Sequence, residues 1–460
     1  MLLKNKMHFE ISERKMMLRL MDIMVVISVL NLVQFLFDYE YFNFLSFKYF
    51  KVALLLFYLN IFGAIFEMYN LQTASNHLEI LKSTLLAGTT TVFVFLFTPV
   101  LSPVLPQNRL PIVVFYVVMV GGLLLWRLFY VYYLASHRFS QNVILICDKA
   151  QVNELVEGLE KVDPHYKIVG YVNSDSLVTD AVTSVRSIPK EKLALFVKQN
   201  SISEIVIASQ NTEGITAELY QQLLHLLESG KVIREYTQVY ESKTQRIPVQ
   251  FIARDFYRFF PFSRSNSNRL YLLVVRVMEL LLSVIGLFVT AVLIPFVLIG
   301  NAFGNRGSLF YTQERIGKDG AVFKIYKFRT MSAHNPSNVL AKVKDCRVTP
   351  FGKFMRKTRI DEFPQFVNVL KGDMAVIGPR PEQPFFVKEI AKVMPFYETR
   401  HIIRPGLTGW AQVNYSYGES IEESLIKLQY DLYYIKHRSV FLDLSITLKT
   451  ITTIVFYRGQ

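Results

Sequence analysis

Five apolar segments constrain the fold of this chain more than any other feature of its sequence. Four of them lie in the first third of the chain, at residues 17–37, 51–68, 81–105 and 110–134, and the fifth lies at residues 270–300. Each is long enough to cross a hydrocarbon core of about 30 Å as a helix. The composition agrees, because 51% of the residues are hydrophobic and 37 are Phe, which indicates contact with lipid. The first four segments predict a four-helix transmembrane bundle.

Charges around this bundle predict its orientation. Basic residues precede the first segment, and His137 and Arg138 follow the fourth. The positive-inside rule then places both ends of the bundle in the cytoplasm. Asp22, Glu67 and Arg127 lie near segment ends, where snorkelling of the charged groups towards water explains them better than an intramembrane functional site does.

Residues 142–237 have the pattern of a small parallel α/β domain, because short apolar runs alternate with amphipathic stretches. The predicted strands are 142–147, 168–172 and 204–208, and the predicted helices are 152–162 and 216–227, the second of which precedes residues 231–236. A dinucleotide site would need glycine where the first strand meets its helix. That turn is Asp148-Lys149-Ala150, and the sequence contains no Gly-x-Gly. We interpret the domain as a scaffold or regulatory module without bound NAD.

Changes in composition divide the chain into four parts. We assign residues 1–138 to the bundle, 139–240 to a Rossmann-like α/β module, 241–268 to a linker rich in Arg, Ser and Phe, and 269–460 to a C-terminal domain. The last part is predicted to be mainly α-helical. Its stretches at 430–437 and 441–456 mix apolar and polar residues, which is typical of helices that lie in the membrane interface or pack on a core.

The fifth apolar segment is flanked by cations on both sides. A straight crossing would place one basic flank outside the cell, against the positive-inside rule, whereas a helix that enters and returns satisfies both flanks. Pro295 can supply the bend, because it lacks an N–H and its ring clashes with the preceding turn. The sequence alone leaves a fifth spanning helix with a tolerated proline equally open.

Two adjacent carboxylates, Asp361 and Glu362, lie among fixed cations in residues 356–365. An isolated Asp-Glu pair usually belongs to a solvated helix face. Here basic blocks occur on both sides in sequence, at Lys327-Phe328-Arg329-Thr330-Met331, Gly378-Pro379-Arg380-Pro381-Glu382 and Arg404-Pro405-Gly406-Leu407-Thr408-Gly409-Trp410. The arrangement is typical of sites that bind and react with phosphate groups. The net charge of +14 agrees with phosphorylated substrates or anionic lipids, and no nucleic-acid motif accompanies it, so we expect no nucleic-acid partner.

Together with Gln313-Glu314-Arg315-Ile316-Gly317, these blocks closely resemble the catalytic domain of bacterial polyprenyl-phosphate hexose-1-phosphate transferases. These are the monotopic phosphoglycosyl transferases that initiate exopolysaccharide, capsule or O-antigen synthesis. The resemblance runs from near Arg269 to the C-terminus, and the upstream parts resemble those of the longer members. It favours the re-entrant helix with its bend at Pro295. It also implies a protein of the bacterial inner membrane whose catalytic domain lies on the cytoplasmic face.

The resemblance implies transfer of hexose 1-phosphate from a UDP-hexose, either glucose or galactose, to undecaprenyl phosphate with release of UMP. Asp361 would be the nucleophile that forms a covalent aspartyl phospho-sugar intermediate, and Glu362 would organise the phosphate. A hard cation, Mg²⁺, would be held by Asp361 and Glu362. The residues that match the phosphate-binding positions are Lys327, Arg329, Arg356 and Arg380. Phe363, where Leu is usual, and Ile294, where Ser often precedes the proline, depart from the family pattern.

Two other functions remain open. One is a non-catalytic membrane scaffold for polysaccharide assembly. The other is a membrane-anchored nucleotide-sugar dehydratase, which would require phosphate-binding glycines and a Tyr-x-x-x-Lys pair; both are absent. The sequence does not decide the hexose, the polysaccharide pathway, a ligand of the α/β module or whether the chain forms a homodimer. Cys147 and Cys346 have no metal-ligand partners nearby in sequence and are expected to be ordinary reduced thiols.

Overall fold

The computed structural model describes residues 11–37, 49–69, 77–98, 108–134, 141–161, 163, 166–174, 184–200, 202–208, 216–249, 266, 268–304, 307–331, 348–394, 396–415 and 421–455. The chain forms two compact units. The first comprises residues 1–156, 163–205 and 209–233, and the second comprises 157–162, 206–208 and 234–460. His137, Arg138, His334, Cys346 and most of the predicted linker lie outside the described residues.

The N-terminal helices follow the predicted apolar segments. They are α1 (Ile11–Phe37), α2 (Tyr49–Ile65), α3 (His77–Phe97) and α4 (Leu110–Phe129), and a π-helical turn at Tyr130–Leu134 follows α4. Contacts join α2 to α3, α3 to α4 and α4 to α1. Leu59 and Leu123 are fully buried, whereas Phe57 and Leu125 are exposed. Three of these helices are long and apolar enough to cross a membrane, and α2 is a shorter apolar helix.

Asp22 and Arg127 correct the snorkelling interpretation. Their side chains are 0% and 1% exposed, and Nη2 of Arg127 donates a hydrogen bond to Oδ2 of Asp22. The guanidinium also lies 5.4 Å from the ring centroid of Tyr69. The two charges therefore turn towards each other inside the bundle, where pairing reduces the large cost of placing either charge alone in an apolar surrounding.

The α/β domain contains a five-stranded sheet in the order β3-β2-β1-β4-β5. Its strands are β1 (Gln141–Cys147), β2 (Tyr166–Asn173), β3 (Arg186–Ser187), β4 (Glu204–Ile207) and β5 (Val232–Glu235), and its helices are α5 (Val152–Glu160), α6 (Leu193–Gln199) and α7 (Ala217–Glu228). Strands β1 and β2 pair in parallel, as do β2 and β3. The predicted strands and helices are confirmed, whereas β3, β5 and α6 were not predicted.

The second unit begins with α8 (Tyr236–Thr244) and α9 (Arg269–Gly304). A hairpin of β6 (Phe310–Ile316) and β7 (Val322–Phe328) follows. The remaining elements are α10 (Pro350–Lys357), α11 (Phe366–Lys371), β8 (Ala375–Ile377), α12 (Pro384–Val393), β9 (Gly406–Thr408), α13 (Trp410–Asn414), α14 (Ile421–His437) and α15 (Val440–Val455). The unit is mainly helical, as predicted. The hairpin is an addition that the sequence pattern missed, because β6 exposes most of its side chains and has no alternating apolar face.

Helix α9 is the fifth apolar segment, and it is long and apolar enough to span a membrane. It continues past Pro295 to Gly304, so the proline does not end the helix. One face is buried along its length, from Tyr271 through Thr290 to Asn301, while Phe288 and Phe303 on other faces are exposed. A Cβ on Gly286 or Gly300 would overlap a phenylalanine ring of a neighbouring helix. The glycines therefore permit close packing against the rest of the unit.

Candidate active site

The predicted carboxylate pair lies in a short 3₁₀ helix, Ile360–Gln365, between α10 and α11. Asp361 and Glu362 occupy its first turn, and Pro364 lies inside it. The carboxylates are therefore themselves part of a helical turn. This 3₁₀ helix packs against β7 and α9, which brings the pair next to the strand that carries Lys327.

Three cations surround the carboxylate of Glu362. Nζ of Lys327 and Nη2 of Arg380 each lie 3.3 Å from Oε1, and Nη1 of Arg359 lies 3.4 Å from Oε2. Burial alone would raise the pKa of Glu362. The combined charges of Lys327, Arg380 and Arg359 outweigh burial and lower its pKa well below the ordinary value. Glu362 is therefore ionised at neutral pH.

Asp361 has a contrasting environment although it is the next residue in the chain. It is buried, with 7% of its surface exposed, and within the described part of the protein its Oδ1 has no hydrogen-bond partner. Burial and the neighbouring charge of Glu362 raise the pKa of Asp361 to about 6, against the opposing charges of Lys327, Arg356 and Arg359. A carboxylate that is desolvated and held by few hydrogen bonds is a stronger nucleophile than a solvated one.

Two arginines from the same motif approach the pair from the end of α10. Nε of Arg356 donates to Oγ1 of Thr330 at 3.0 Å, which fixes the guanidinium whose charge acts on Asp361. Arg359 was not predicted as a site residue. It has a left-handed backbone with a φ of 58°, which is uncommon for a residue with a side chain, and this conformation turns the chain from α10 into the 3₁₀ helix. Its spacing of three residues from Glu362 was the available signal.

The other motif arginines hold the surrounding framework. Arg329 contacts the open end of the hairpin. Its backbone N–H donates to the carbonyl of Leu309 at 3.0 Å, and its guanidinium lies against Gly307. Arg404 donates to Glu279 of α9 at 2.9 Å. Arg315 donates to the carbonyl of Pro381 at 3.3 Å. Lys327, Arg356 and Arg380 lie close to the carboxylates, whereas the contacts of Arg329 described above join it to the hairpin and to Gly307.

Asn368 is a further residue that the sequence did not single out. It is fully buried in α11, its Nδ2 donates to the carbonyl of Lys324 at 2.7 Å, and its Oδ1 accepts from the N–H of Tyr326 at 3.2 Å. The side chain thus satisfies the backbone of β7 in the way that a neighbouring strand would. This contact fixes the strand that carries Lys327.

The motif that ends in Trp410 is structural. Gly378 and Gly406 lie where β8 and β9 pass each other, and a Cβ on either residue would overlap the backbone of the other strand. Close approach, rather than a tight turn, therefore explains Gly406. Trp410 is buried, and its Nε1 donates to the carbonyl of Gln245 at 3.1 Å, which places the ring in the protein core. Burial and the charge of Arg400 lower the pKa of His401 to about 4, so this histidine is neutral at neutral pH.

The carboxylate pair fits a site for Mg²⁺ that is completed by substrate. Within the described ranges, no three His, Cys, Asp or Glu side chains gather where they could hold a metal ion, and Mg²⁺ is commonly held by one or two carboxylates with phosphates and water. The unpartnered Oδ1 of Asp361 can accept such a contact. The cations around Glu362 lie at 3.3–3.4 Å, longer than the roughly 2.8 Å of a tight charged hydrogen bond.

Comparison with known proteins identifies the part of the chain that contains this site. Residues 270–457 match the family model described as bacterial sugar transferase. An Aeromonas hydrophila protein named UDP-N-acetylgalactosamine-undecaprenyl-phosphate N-acetylgalactosaminephosphotransferase is 46% identical over 190 residues, which are 40% of this chain and 44% of that protein. A protein of Escherichia coli (strain K12) named UDP-glucose:undecaprenyl-phosphate glucose-1-phosphate transferase is 34% identical over 191 residues, 41% of this chain and 40% of that protein.

A shorter relative is matched over most of its length. The Bacillus subtilis (strain 168) protein named putative undecaprenyl-phosphate N-acetylgalactosaminyl 1-phosphate transferase is 43% identical over 141 residues, 30% of this chain and 79% of that protein. The match with the two longer relatives spans less than half of their lengths. The similarity therefore concerns the unit that holds the carboxylate pair.

Proposed function

The chain belongs to the bacterial sugar transferase family, and we propose that it transfers a sugar 1-phosphate from a UDP-sugar to undecaprenyl phosphate with release of UMP. One observation carries the proposal. Asp361 is buried, and one of its oxygens has no hydrogen-bond partner among the described residues, while its neighbour Glu362 is held among three cations. The first carboxylate is suited to attack phosphorus, and the cations are suited to bind the phosphate oxygens.

The reaction has two displacements at one phosphorus atom. In the first, a carboxylate oxygen of Asp361 forms a bond to the sugar-bearing phosphorus of the donor, and the bond from that phosphorus to the bridging oxygen breaks. UMP leaves with the electron pair. In the second, a phosphate oxygen of undecaprenyl phosphate attacks the same phosphorus, and the bond to Asp361 breaks to restore the carboxylate. Both displacements balance without a proton donor.

The cations have a defined part in each displacement. Negative charge on the transferred phosphoryl group spreads over its outer oxygens as the bonds exchange, and Lys327, Arg356 and Arg380 are placed to stabilise it without moving. Mg²⁺ held by Asp361 and Glu362 would supply charge neutralisation between the carboxylates and the diphosphate when bound. Arg suits two of these positions because its planar fork can bind two phosphate oxygens at once.

The sugar is the least determined part of the proposal. The relatives described above are named for glucose or for N-acetylgalactosamine, and the sequence interpretation favoured a glucose or galactose donor. The proposed donors are therefore UDP-glucose, UDP-galactose and UDP-N-acetylgalactosamine. The membrane orientation is part of the same proposal, with the catalytic unit on the cytoplasmic face of the bacterial inner membrane.

Contacts along α9 support a helix that enters the membrane and returns. Near its start, Nη1 of Arg276 donates to the carbonyl of Val369 at 2.8 Å. Near its end, Gly300 packs closely against Phe351. Residues of the same unit therefore pack against both ends of the helix. If the helix crossed the membrane in a straight line, charged residues of the site would have to lie in the hydrocarbon core. Cysteine labelling in inverted vesicles should find positions near Arg269 and Arg315 on one face; opposite faces would contradict the re-entrant arrangement.

The activity can be tested with the full-length protein in detergent. Undecaprenyl phosphate and Mg²⁺ are supplied with UDP-glucose, UDP-galactose or UDP-N-acetylgalactosamine, and UMP release and labelled lipid are measured. One donor should react, and Asp361→Asn should abolish turnover. Mass spectrometry of protein incubated with donor alone should find the sugar phosphate on Asp361. Full turnover by Asp361→Asn would eliminate the covalent route, and polymer production restored in cells by Asp361→Ala would favour the scaffold function instead.

A further inference from the structure

Arg380 is carried by a loop whose carbonyl groups are all engaged. The loop runs from Pro379 to Glu382, between β8 and α12. The carbonyl of Pro379 accepts from the N–H of Gly406 at 2.9 Å, and that of Glu382 accepts from the N–H of Ile316 at 2.9 Å. Backbone groups of two other segments therefore hold the two ends of the loop.

Side chains of two arginines hold the middle of the same loop. Nη2 of Arg400 donates to the carbonyl of Arg380 at 3.1 Å, and Nη1 of Arg315 donates to the carbonyl of Pro381 at 3.3 Å. Prolines on both sides of Arg380 fix two backbone φ angles. The backbone of Arg380 is thus restrained from both neighbours and from its own carbonyl.

Arg400 is itself held in one orientation. It is 4% exposed, its Nη2 donates to Oδ2 of Asp431 at 2.7 Å, and its Nη1 donates to the hydroxyl of Tyr397 at 2.6 Å. Asp431 belongs to α14 and is 1% exposed. A buried arginine with these partners cannot change rotamer without leaving a charge unpaired, which is strongly unfavourable.

We propose that Arg400 is a positioning residue for the transfer reaction: it holds the backbone of Arg380, and Asp431 and Tyr397 hold Arg400. The proposal rests on the function proposed above. Arg400 itself touches neither Asp361 nor Glu362 in the contacts described, whereas Nη2 of Arg380 lies 3.3 Å from Oε1 of Glu362. The chain of contacts thus runs from the buried ion pair through one carbonyl to the guanidinium that meets the phosphate.

The energetic reason is the sensitivity of phosphoryl transfer to placement. A displacement of about 1 Å in a group that stabilises the transition state can lower the rate by about 100-fold. The two terminal nitrogens of the Arg400 guanidinium, held in one rigid plane, span one loop carbonyl, one carboxylate and one hydroxyl and so set that placement. Lysine keeps the charge that Asp431 needs but cannot reach all three partners in this geometry.

A double-mutant cycle between Arg400 and Arg380 tests the inference in the full-length protein. Arg400→Lys should lower kcat/KM for the UDP-sugar by about 10- to 100-fold, and the loss should divide between kcat and KM in the proportion seen for Arg380→Ala. In the Arg380→Ala background, Arg400→Lys should change kcat/KM by less than about twofold, because the effects of two substitutions that act through the same contact are not additive. Losses that multiply in the double variant would overturn the proposal.

Two further variants separate positioning from folding. Tyr397→Phe keeps the charged pair and removes one acceptor of Arg400, so it should give a smaller loss with the same lack of additivity; additive losses would again overturn the proposal. Arg438→Lys changes another buried arginine of this unit, whose guanidinium lies over the rings of Tyr271 and Tyr434. It should lower the melting temperature while its effect on kcat/KM multiplies with that of Arg380→Ala.

A binding measurement keeps the two proposals distinguishable. UDP with Mg²⁺ is titrated while the melting temperature of each variant is followed. Arg400→Lys should weaken UDP binding in the wild-type background and leave it unchanged beside Arg380→Ala. If the variants show this pattern of UDP binding but the wild-type protein releases no UMP from any donor, the proposed function alone is refuted. Wild-type turnover with independent effects of the two arginines would refute the positioning role alone.

Discussion

Nζ of Lys327 lies 3.3 Å from Oε1 of Glu362, although 35 residues separate them in the chain. The lysine stands near the end of β7, and the carboxylate stands in the first turn of the 3₁₀ helix. Their approach requires the hairpin and this helix to pack together. The same packing encloses Asp361, so one tertiary contact produces both the cation-rich carboxylate and its desolvated neighbour.

The pH dependence of turnover should report the ionisation of Asp361. Burial and the charge of Glu362 raise its pKa to about 6. In the proposed reaction the deprotonated form of Asp361 attacks phosphorus, so kcat/KM should be full above this value and fall as the pH drops through about 6. Measurement of UMP release across the pH range checks this, and an acid limb near the ordinary carboxylate pKa would contradict the assignment.

Glu362→Gln should move that acid limb. The substitution removes the negative neighbour that raises the pKa of Asp361 and leaves Lys327, Arg356 and Arg359 in place. The limb should therefore shift to lower pH, while the maximal rate falls because the cations lose the carboxylate that arranges them. Lys392→Gln provides a control, because this exposed residue pairs only with Glu389 in the described contacts and should leave the limb unchanged.

Arg359 should contribute both charge and backbone conformation. Its φ of 58° costs a residue with a side chain about 1 kcal/mol relative to glycine. Arg359→Ala and Arg359→Gly should both reduce kcat/KM, by about tenfold or more, because each removes one of the cations around the carboxylate pair. Arg359→Gly should nevertheless unfold at a higher temperature than Arg359→Ala. Equal melting temperatures would argue against strain at this position.

Gly300 should be required for the packing of α9. A Cβ at this position would overlap the ring of Phe351, so Gly300→Ala should lower the free energy of unfolding by about 1–3 kcal/mol. Gly121 in α4 is the matched control, since a Cβ there meets nothing within 4 Å. Gly121→Ala should be neutral or stabilising by up to about 1 kcal/mol. Thermal unfolding in detergent distinguishes them, and equal effects would refute the packing argument.

The buried pair in the bundle should show strong non-additivity. Asp22→Ala leaves Arg127 buried without its partner and should cost about 3–5 kcal/mol. Replacement of both residues, as Asp22→Leu with Arg127→Met, should cost much less because no charge remains unpaired. The melting temperatures of the single and double variants provide the measurement. A double variant less stable than Asp22→Ala would show that the pair is not the main interaction.

Sequence reasoning predicted the parts of the fold that depend on local patterns. Apolar runs gave the bundle helices with ends that agree to within eight residues, and alternation of apolar runs gave β1, β2 and β4. The hairpin was missed because β6 is largely exposed and lacks a periodic apolar face. Asp22 and Arg127 were misinterpreted because 105 residues separate the partners, and only the tertiary structure brings them together.

The residues of the candidate site likewise fall into those that local motifs predicted and those that only the tertiary structure reveals. The motif blocks identified Lys327, Arg356 and Arg380, which the structure brings to the carboxylates. Arg359, Asn368 and Arg400 were missed because their importance comes from a left-handed turn, a buried amide and a buried carboxylate on another helix. The roles of Asp361, Glu362 and Mg²⁺ in catalysis, and the return of α9 at Pro295, stay predictions.

The arrangement around Asp361 and Glu362 also has a consequence for how substrates arrive. Lys327, Arg356, Arg359 and Arg380 exceed the two carboxylates by two positive charges even when both acids are ionised. A sugar nucleotide and a lipid phosphate, the proposed substrates, are both anions, so each would be drawn towards these cations before it makes contact. Such attraction weakens within about 10 Å at 0.1 M salt. Encounter should therefore slow as ionic strength rises, for the donor and the acceptor alike.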